Sequence, residues 1–206
     1  MSEKPILFNT EMVRAILEGR KTQTRRVIKP QLPDGKKPMV DPFYGTYGYE
    51  RADEKRTPYA IGDILWVRET WKNATGDPAG GGYALFDTYI YKADGKAKEE
   101  YPVDAMMVED RWRPSIHMPK RAARIFLRVK DVRVERLQDI SGKDCVAEGC
   151  DADMLSEVGE DFIRGVFNGI WDSTIKEKDF PFYSWDANPW VWVINFEKID
   201  RPEAQT

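Results

Sequence analysis

The stretch "RAARIFLRVKDVRVERL", residues 121–137, alternates strongly between apolar and charged residues. Side chains of a β-strand point alternately to its two faces, so a period of two residues separates one apolar face from one charged face. The apolar set is Ala123, Ile125, Leu127 and Val129, and the opposite set is Arg124, Phe126 and Arg128. The pattern predicts a long strand that turns one face to a core.

Shorter elements are predicted on both sides of this strand. Apolar runs bounded by turn residues indicate strands at 5–9, 24–29, 62–71 and 189–199, and a hairpin or meander at 81–95. Helical spacing indicates helices at 11–18, 142–149 and 154–171, with Thr10 and Ser141 as N-caps. Strands outnumber helices and most connections are short. We therefore expect an α+β fold, a small β-barrel or a strongly curved mixed sheet with two to three flanking helices.

Length and composition limit the classes of protein. The chain has 206 residues, 41% of them hydrophobic, and a net charge of −3, which favours one domain and argues against a polycation that coats nucleic acid. No apolar run approaches the roughly 18 residues of a membrane span, and no signal-peptide stretch opens the chain. We expect a cytoplasmic protein that does not bind membranes.

Histidine and cysteine are scarce. The chain has one histidine, His117, and two cysteines, Cys145 and Cys150. A zinc site rich in these residues is therefore excluded, and a Ser-His-Asp triad is not expected. We predict neither a metal nor a cofactor. Catalytic groups, if the protein is an enzyme, would come mainly from Lys, Glu, Asp, Ser, Thr or Tyr.

A cluster of positively charged residues follows the first predicted helix. In "GRKTQTRR", residues 19–26, Gly19 stands where a left-handed C-cap ends a helix. Four cations and two threonines follow it. Residues 21 and 24 face opposite sides of a straight strand, so Lys21 and Thr24 share a site only if the backbone turns between Gly19 and Gln23.

Charge is also uneven farther along the chain. Residues 111–136 hold nine Lys or Arg and two acids, whereas residues 148–161 hold six acids and no Lys or Arg. A basic face of this kind binds a phosphate backbone locally. Arginine on the outer face of an amphipathic strand is equally ordinary solubilising chemistry, and both interpretations stay open here.

Four segments together resemble the ASCH family, a PUA-related β-barrel family, and in particular its long phage and prophage branch. They are "GRKTQTRR", "GDILWVRETW", "DISGKDCVAEG" and the terminal strand. The resemblance implies one PUA-like domain over residues 1–206. Relative to the compact branch, long inserted loops or segments fall at about 30–60, 73–118 and 150–189.

The resemblance also implies a nucleic-acid or nucleoside ligand. One compact branch consists of amidohydrolases that deacetylate N4-acetylcytidine, and its catalytic Lys, Thr and Glu correspond to Lys21, Thr24 and Glu148. Lys21 could act as a base only if its pKa falls far below about 10.4. Neighbouring arginines lower that pKa and a nearby Glu148 raises it. Glu148 could instead hold the exocyclic nitrogen of a cytosine-like base or donate a proton.

Our preferred prediction is binding of RNA, single-stranded nucleic acid or a modified nucleotide by a basic cleft around Lys21. Further predicted ligand residues are Arg20, Thr22, Arg25, Arg26, Arg68, Trp71, Arg124 and Arg128, and the loop tyrosines Tyr44, Tyr47 and Tyr49 are candidate stacking residues. Three alternatives remain: an amidohydrolase, a metal-independent ribonuclease, and a phage accessory protein that binds a host protein. The last alternative predicts an apolar patch on the inserted segments.

Overall fold

The described part of the chain contains eleven strands and five α-helices. The computed structural model describes residues 2–29, 31, 39–41, 46–48, 55–76, 86–95, 105–108 and 111–202. The strands are β1 (Glu3–Leu7), β2 (Gln23–Val27), β3 (Met39–Asp41), β4 (Thr46–Gly48), β5 (Lys55–Arg56), β6 (Ile64–Arg68), β7 (Trp71–Gly76), β8 (Phe86–Tyr91), β9 (Ala105–Val108), β10 (Phe126–Arg136) and β11 (Trp190–Ile199). The helices are α1 (Thr10–Leu17), α2 (Gly142–Ala147), α3 (Ala152–Glu157), α4 (Glu160–Ser173) and α5 (Phe180–Tyr183).

The main sheet is mixed and has five strands in the order β1-β6-β10-β11-β2. β1 runs parallel to β6, and the other neighbours are antiparallel. Two three-stranded sheets, β3-β4-β5 and β8-β7-β9, accompany it. The predicted α+β class is confirmed. Among the residues described, the strands do not close into a barrel.

The strand predicted over 121–137 is present only over Phe126–Arg136, as β10, and a 3-10 helix, Lys120–Ala122, precedes it. A bulge also changes its pattern. Opposite β11 the register shifts between Val129 and Asp131, which leaves Lys130 as the extra residue. Ile125 and Val129 before the bulge and Val132 after it belong to one core cluster. A bulge shifts the alternation by one residue, so odd-numbered and even-numbered side chains reach the same face.

The face of β10 opposite this cluster is not uniformly open to solvent. Phe126, predicted on the charged face, is buried in a separate cluster with Trp71, Met118 and Ala122. The sheet therefore buries apolar side chains on both faces at this point, which a simple alternation of one core face and one solvent face does not predict.

Strand β2 lies between two layers of the fold. Ile28, next to its end, packs in the cluster that contains Val13 and Ile16 of α1. Val27 packs against the cluster that contains Cys145 of α2 and Phe167 of α4. Because side chains alternate along the strand, its even positions face α1 and its odd positions face α2 and α4.

Several sequence predictions need correction. The predicted loop over 30–60 contains the three short strands of the β3-β4-β5 sheet. Asn9, not Thr10, caps α1, since its side chain accepts a hydrogen bond from the Met12 N–H at 2.8 Å. The predicted helix over 154–171 is two helices, α3 and α4, separated at Gly159 with φ 99°. Helical spacing alone did not mark this left-handed residue as a break.

Candidate functional site

The chain reverses direction between α1 and β2. Gly19 has a left-handed φ of 78°, and β2 begins only at Gln23. The Lys21 N–H donates to the Ala15 carbonyl at 3.0 Å, and the Thr22 N–H donates to the Ala147 carbonyl at 2.9 Å. These bonds tie the turn to the end of α1 on one side and to the end of α2 on the other. The turn of the backbone that Lys21 and Thr24 need in order to share a site is therefore present.

Lys21 and Glu148 form a buried ion pair behind this turn. The Lys21 Nζ lies 2.7 Å from Glu148 Oε2 and 2.7 Å from the Glu148 carbonyl oxygen. The lysine side chain has no exposed surface. Burial lowers the pKa of Lys21, although the Glu148 carboxylate acts in the opposite direction. The pair places a lysine of reduced basicity in contact with a carboxylate.

Arg25, in β2, belongs to the same charge cluster. Its guanidinium lies 3.2 Å from Glu148 Oε1, 3.1 Å from Glu135 Oε2 and 3.5 Å from Asp144 Oδ2. Arg133 joins the cluster through Glu135 at 2.5 Å and Asp144 at 3.3 Å. The Arg25 side chain is fully buried. Its charge is neutralised inside the protein, so this arginine links β2 to β10 and α2 and offers no surface to a ligand.

Thr24 lies on the α1 side of β2, on the same face as Arg26. It is 2% exposed. No hydrogen bond joins its hydroxyl to Lys21 or Glu148, both of which are among the residues described. Of the three predicted catalytic residues, the structure brings Lys21 and Glu148 into contact and keeps Thr24 outside that hydrogen-bonded pair.

The ring of Phe8 lies close to two cations. Lys21 Nζ is 5.7 Å from the ring centroid, and the Arg26 guanidinium carbon is 5.1 Å from it. Arg26 also donates to the Leu7 carbonyl at 2.6 Å. Within the described part of the chain, no carboxylate forms an ion pair with Arg26. Burial lowers the pKa of Arg26, and Tyr59 and the Glu148 carboxylate act in the opposite direction. A guanidinium starts from such a high pKa that it keeps its charge.

A cleft of about 410 Å³ opens beside Arg26. It lies between the end of β1, the start of α1, the segment after β6 and the end of α4. Its lining residues are Leu7, Phe8, Asn9, Thr10, Met12, Arg26, Thr70, Ser115, Ser173 and Thr174. The described residues of the lining contribute one guanidinium, one amide and five hydroxyl groups, and none of them contributes a carboxylate. The Ser173 and Thr174 hydroxyls already donate to the Ile170 and Trp171 carbonyls. An anion in the cleft would therefore meet donors mainly from Arg26 and from the hydroxyls of Thr10, Thr70 and Ser115.

Arg20 and Thr22 are two further residues of the basic motif that are predicted to bind the ligand, and they make different kinds of contact. Arg20 pairs with Glu18 at 2.5 Å and donates to the Gly149 carbonyl at 2.8 Å. Thr22 is exposed, and its carbonyl accepts from the Phe196 N–H. Neither residue lines the cleft.

The predicted ligand residues outside that motif are dispersed. Arg124 forms a two-pronged contact with Glu69 at 2.9 and 3.0 Å and also pairs with Asp94. Trp71 is buried in a core cluster and cannot stack on a base from that position. Arg68 donates to the Ile116 carbonyl and lies against the Trp66 ring.

Arg128 lines a second surface cleft, away from Lys21. Its guanidinium lies 3.5 Å from Glu197. The cleft has a volume of about 460 Å³ and also includes Lys198 and Asp200. Glu197 lies next to the Arg128 guanidinium, and Asp200 shares the cleft lining with Lys198. This surface therefore has less uncompensated positive charge than the Arg26 cleft.

Sequence reasoning missed some residues of the site. Ser173 and Thr174 lie more than 140 positions from Arg26, and nothing in their local sequence marks them. Asp144 and Glu135 were also missed as partners of Arg25. The local sequence does mark Asp144, since this residue completes the capping box of α2 with Ser141. Tyr44 and Tyr49 lie outside the described residues, and of Tyr47 only its place in β4 is described.

The described residues contain no group of three or more His, Cys, Asp or Glu side chains placed to hold a metal ion. None of their helices has the length and apolar character that crossing a bilayer requires.

Comparison with known proteins gave no match: no family model, no curated protein and no solved structure is similar to this chain.

Proposed function

We propose that this protein binds RNA, single-stranded nucleic acid or a modified nucleotide in the cleft beside Arg26. One observation carries the proposal. Among the described residues, Arg26 has no carboxylate partner, and those that line its cleft contribute hydroxyl groups and no carboxylate. A cleft that keeps a net positive charge favours an anion, and a phosphate takes the donors of a guanidinium in a fork.

The shape of the cleft favours a single nucleotide over a duplex. Its volume of about 410 Å³ falls in the range of small-molecule sites and is too small to admit a double helix. Phosphate contacts position a strand without reading its sequence, so Arg26 and the hydroxyls of Thr10 and Thr70 would set affinity more than specificity.

The relationship to the ASCH family and its PUA-like barrel belongs to the same proposal. It rests on the motif "GRKTQTRR" with the later "GDILWVRETW". It is supported by the position of the motif, which begins at the turn after α1 and ends in β2 beside the cleft.

Fluorescence anisotropy with a labelled single-stranded RNA of about 12 nucleotides tests the binding proposal. We expect Arg26→Ala to weaken binding about tenfold and to reduce the slope of log K against log salt by roughly one. Lys130→Ala, which removes one positive charge from an exposed position outside the cleft, is the matched control. Equal losses in both variants would mean that the cleft is not the binding site.

The identity of the ligand is resolved by competition in the same assay. Single-stranded DNA of the same sequence, cytidine monophosphate and N4-acetylcytidine monophosphate compete against the labelled RNA. Displacement by a mononucleotide at low concentration identifies a nucleotide-binding site, whereas displacement only by polymers identifies a strand-binding site. If none of the four ligands binds wild-type protein, the proposal is wrong.

A second candidate function is hydrolysis of an N4-acetylcytidine-type amide. The observation that favours it is the buried contact of Lys21 with Glu148, in which burial lowers the pKa of the lysine. A lysine of lowered pKa can lose its proton and accept the proton of an attacking hydroxyl, and the Glu148 carboxyl group next to it can pass that proton on to the leaving nitrogen. Water then hydrolyses the acetyl ester left on the hydroxyl and releases acetate. Thr24, two positions before Arg26 on the same face, is the candidate nucleophile.

Release of acetate from N4-acetylcytidine tests this second function. We expect Lys21→Met and Thr24→Val to abolish release, while Thr22→Val, at an exposed position, leaves it unchanged. Circular dichroism of each variant separates loss of chemistry from loss of fold. Release that survives Lys21→Met in a folded protein contradicts the mechanism.

A further inference from the structure

Helix α4 presents an apolar stripe to solvent in addition to its buried face. Ile163, Phe167 and Trp171 are buried in the core cluster shared with α2. Phe162 and Ile170, one position before Ile163 and Trp171, are 49% and 37% exposed. With the half-buried Val166 they recur every four residues, so they form one stripe along the side of the helix. This stripe lies in the 150–189 segment, where a protein-binding accessory protein is predicted to carry an apolar patch.

Two glycines lie beside the stripe, and the fold does not require them. Gly165 and Gly169 are four residues apart inside α4, and a Cβ added to either meets nothing within 4 Å. Glycine in a helix interior destabilises the helix relative to alanine. Because these glycines have no side chains, another helix can approach the α4 backbone closely. Small residues four positions apart have this effect in packed helix pairs.

The charge around the stripe selects the partner. Helix α4 has the acids Glu160, Asp161 and Asp172 and one cation, Arg164, which donates to the Gln138 carbonyl. The preceding segment adds Asp151, Asp153 and Glu157, and residues 148–161 contain no Lys or Arg. In an antiparallel pair of two α4 helices, the acids at the N-terminal end of each would lie near Asp172 of the other. Charge therefore disfavours self-association and favours a basic partner.

We propose that the side of α4 formed by Phe162, Val166 and Ile170 with Gly165 and Gly169 is a docking surface for a basic amphipathic helix of another protein. The apolar side of that helix packs on the stripe, and small residues on it approach the glycines. Its lysines or arginines pair with Glu157 and Asp161 at the acidic border. As in helix-in-groove recognition, the apolar side of the bound helix packs on an apolar surface, and its positive charges are attracted by the acidic border.

Binding of a synthetic peptide tests the docking surface. The probe is a labelled 16-residue amphipathic helix of Leu, Ala and Lys, and its counterpart has Glu in place of every Lys. We expect the Lys peptide to bind at least tenfold more tightly than the Glu peptide. Phe162→Ser and Gly169→Leu should each weaken binding of the Lys peptide about tenfold. Phe182→Ser is the matched control, because Phe182 is 65% exposed but lies on α5.

A charge reversal provides the second arm of the test. In Glu157→Lys/Asp161→Lys, the preference should invert, so that the Glu peptide binds more tightly than the Lys peptide. The proposal is overturned if the Lys peptide does not bind, or if Phe162→Ser and Phe182→Ser bind it equally. It is also overturned if sedimentation shows a dimer that Phe162→Ser dissociates, since the occupant is then a second copy.

Discussion

Glu148 is the residue on which the charges of the site depend, because it neutralises two buried cations. Its carboxylate contacts Lys21 through one oxygen and Arg25 through the other. Lys21 has one carboxylate partner among the described residues, whereas Arg25 also contacts Glu135 and Asp144. The two members of the Lys21–Glu148 pair should therefore respond differently to substitution.

Glu148→Gln is expected to destabilise the protein by about 3–5 kcal/mol, since it leaves buried positive charge without its counter-charge. Lys21→Met should lower stability less, by about 1–3 kcal/mol, because Glu148 keeps its contact with Arg25. Urea unfolding at neutral pH measures both values. Equal losses would show that the Arg25 contact contributes little. Thr22→Ala, at an exposed position of the same turn, controls for local disturbance.

Asp63 gives the protein an acid-sensitive contact at the start of the main sheet. Its carboxylate accepts from Lys4 Nζ at 2.7 Å, from Ser2 Oγ at 2.8 Å and from the Ala60 N–H at 3.0 Å. Burial raises the pKa of Asp63, but these hydrogen bonds outweigh burial and hold the pKa below its ordinary 3.8.

A group whose pKa is lower in the folded state contributes stability above its unfolded pKa and loses it as pH falls through the folded value. We therefore expect wild-type stability to fall on acidification, from about pH 5 downward. Asp63→Asn should be less stable at neutral pH and show a shallower fall. Urea midpoints along a pH series measure this. A parallel fall in both proteins would mean that Asp63 is not responsible. Asp144, whose pKa is also lowered, preserves part of the fall in the variant.

At the scale of single elements, two glycines of helices should respond in opposite directions to alanine. Gly19, just after α1, has φ 78° and open space around it, so only its backbone conformation disfavours a side chain. Gly169 lies inside α4 and also has open space. Gly19→Ala should destabilise the protein by about 1 kcal/mol, and Gly169→Ala should stabilise it by roughly 0.5–1 kcal/mol.

Thermal or urea unfolding of both variants checks these values. If Gly169→Ala destabilises the protein, some contact at that position requires the glycine within the fold. That result would weaken the argument that the glycines of α4 serve an approaching partner. Stabilisation combined with weaker binding of the basic peptide would separate the role of the glycine in docking from its role in folding.

At the scale of the whole molecule, the two proposed surfaces have opposite charge. The described residues that line the cleft beside Arg26 include no carboxylate, and the α4 stripe borders an acidic segment. The C-terminal end of α4 contributes Ser173 to the cleft, so the two surfaces meet at that end of the helix.

We expect the two surfaces to bind independently. Arg26→Ala should leave binding of the Lys peptide within twofold of wild type, and Phe162→Ser should leave binding of RNA unchanged. Titration of RNA in the presence of saturating peptide should likewise give the same affinity. The Ser173 hydroxyl, in the cleft lining, donates to the Ile170 carbonyl, but this bond uses the backbone of Ile170 and not the side chain that a partner would contact. A tenfold change in either direction would reveal a coupling free energy of about 1.4 kcal/mol between the sites.

Local sequence determined much of the architecture. Period-two alternation in residues 121–137 predicted β10, the Gly19 position predicted the end of α1, and Ser141 predicted the cap of α2. These features were predictable because they depend on the preferences of a residue and of its near neighbours along the chain.

Only the tertiary structure decided which charges meet. The sequence placed four cations after Gly19 but could not show that Arg25 is neutralised by Glu135 and Asp144, more than 100 positions away, while Arg26 keeps no carboxylate partner among the described residues. It also could not show that the bulge at Lys130 directs both halves of β10 into one core. Ion pairs and sheet register join distant segments of the chain, and local preferences contain no information about which distant segment will lie opposite.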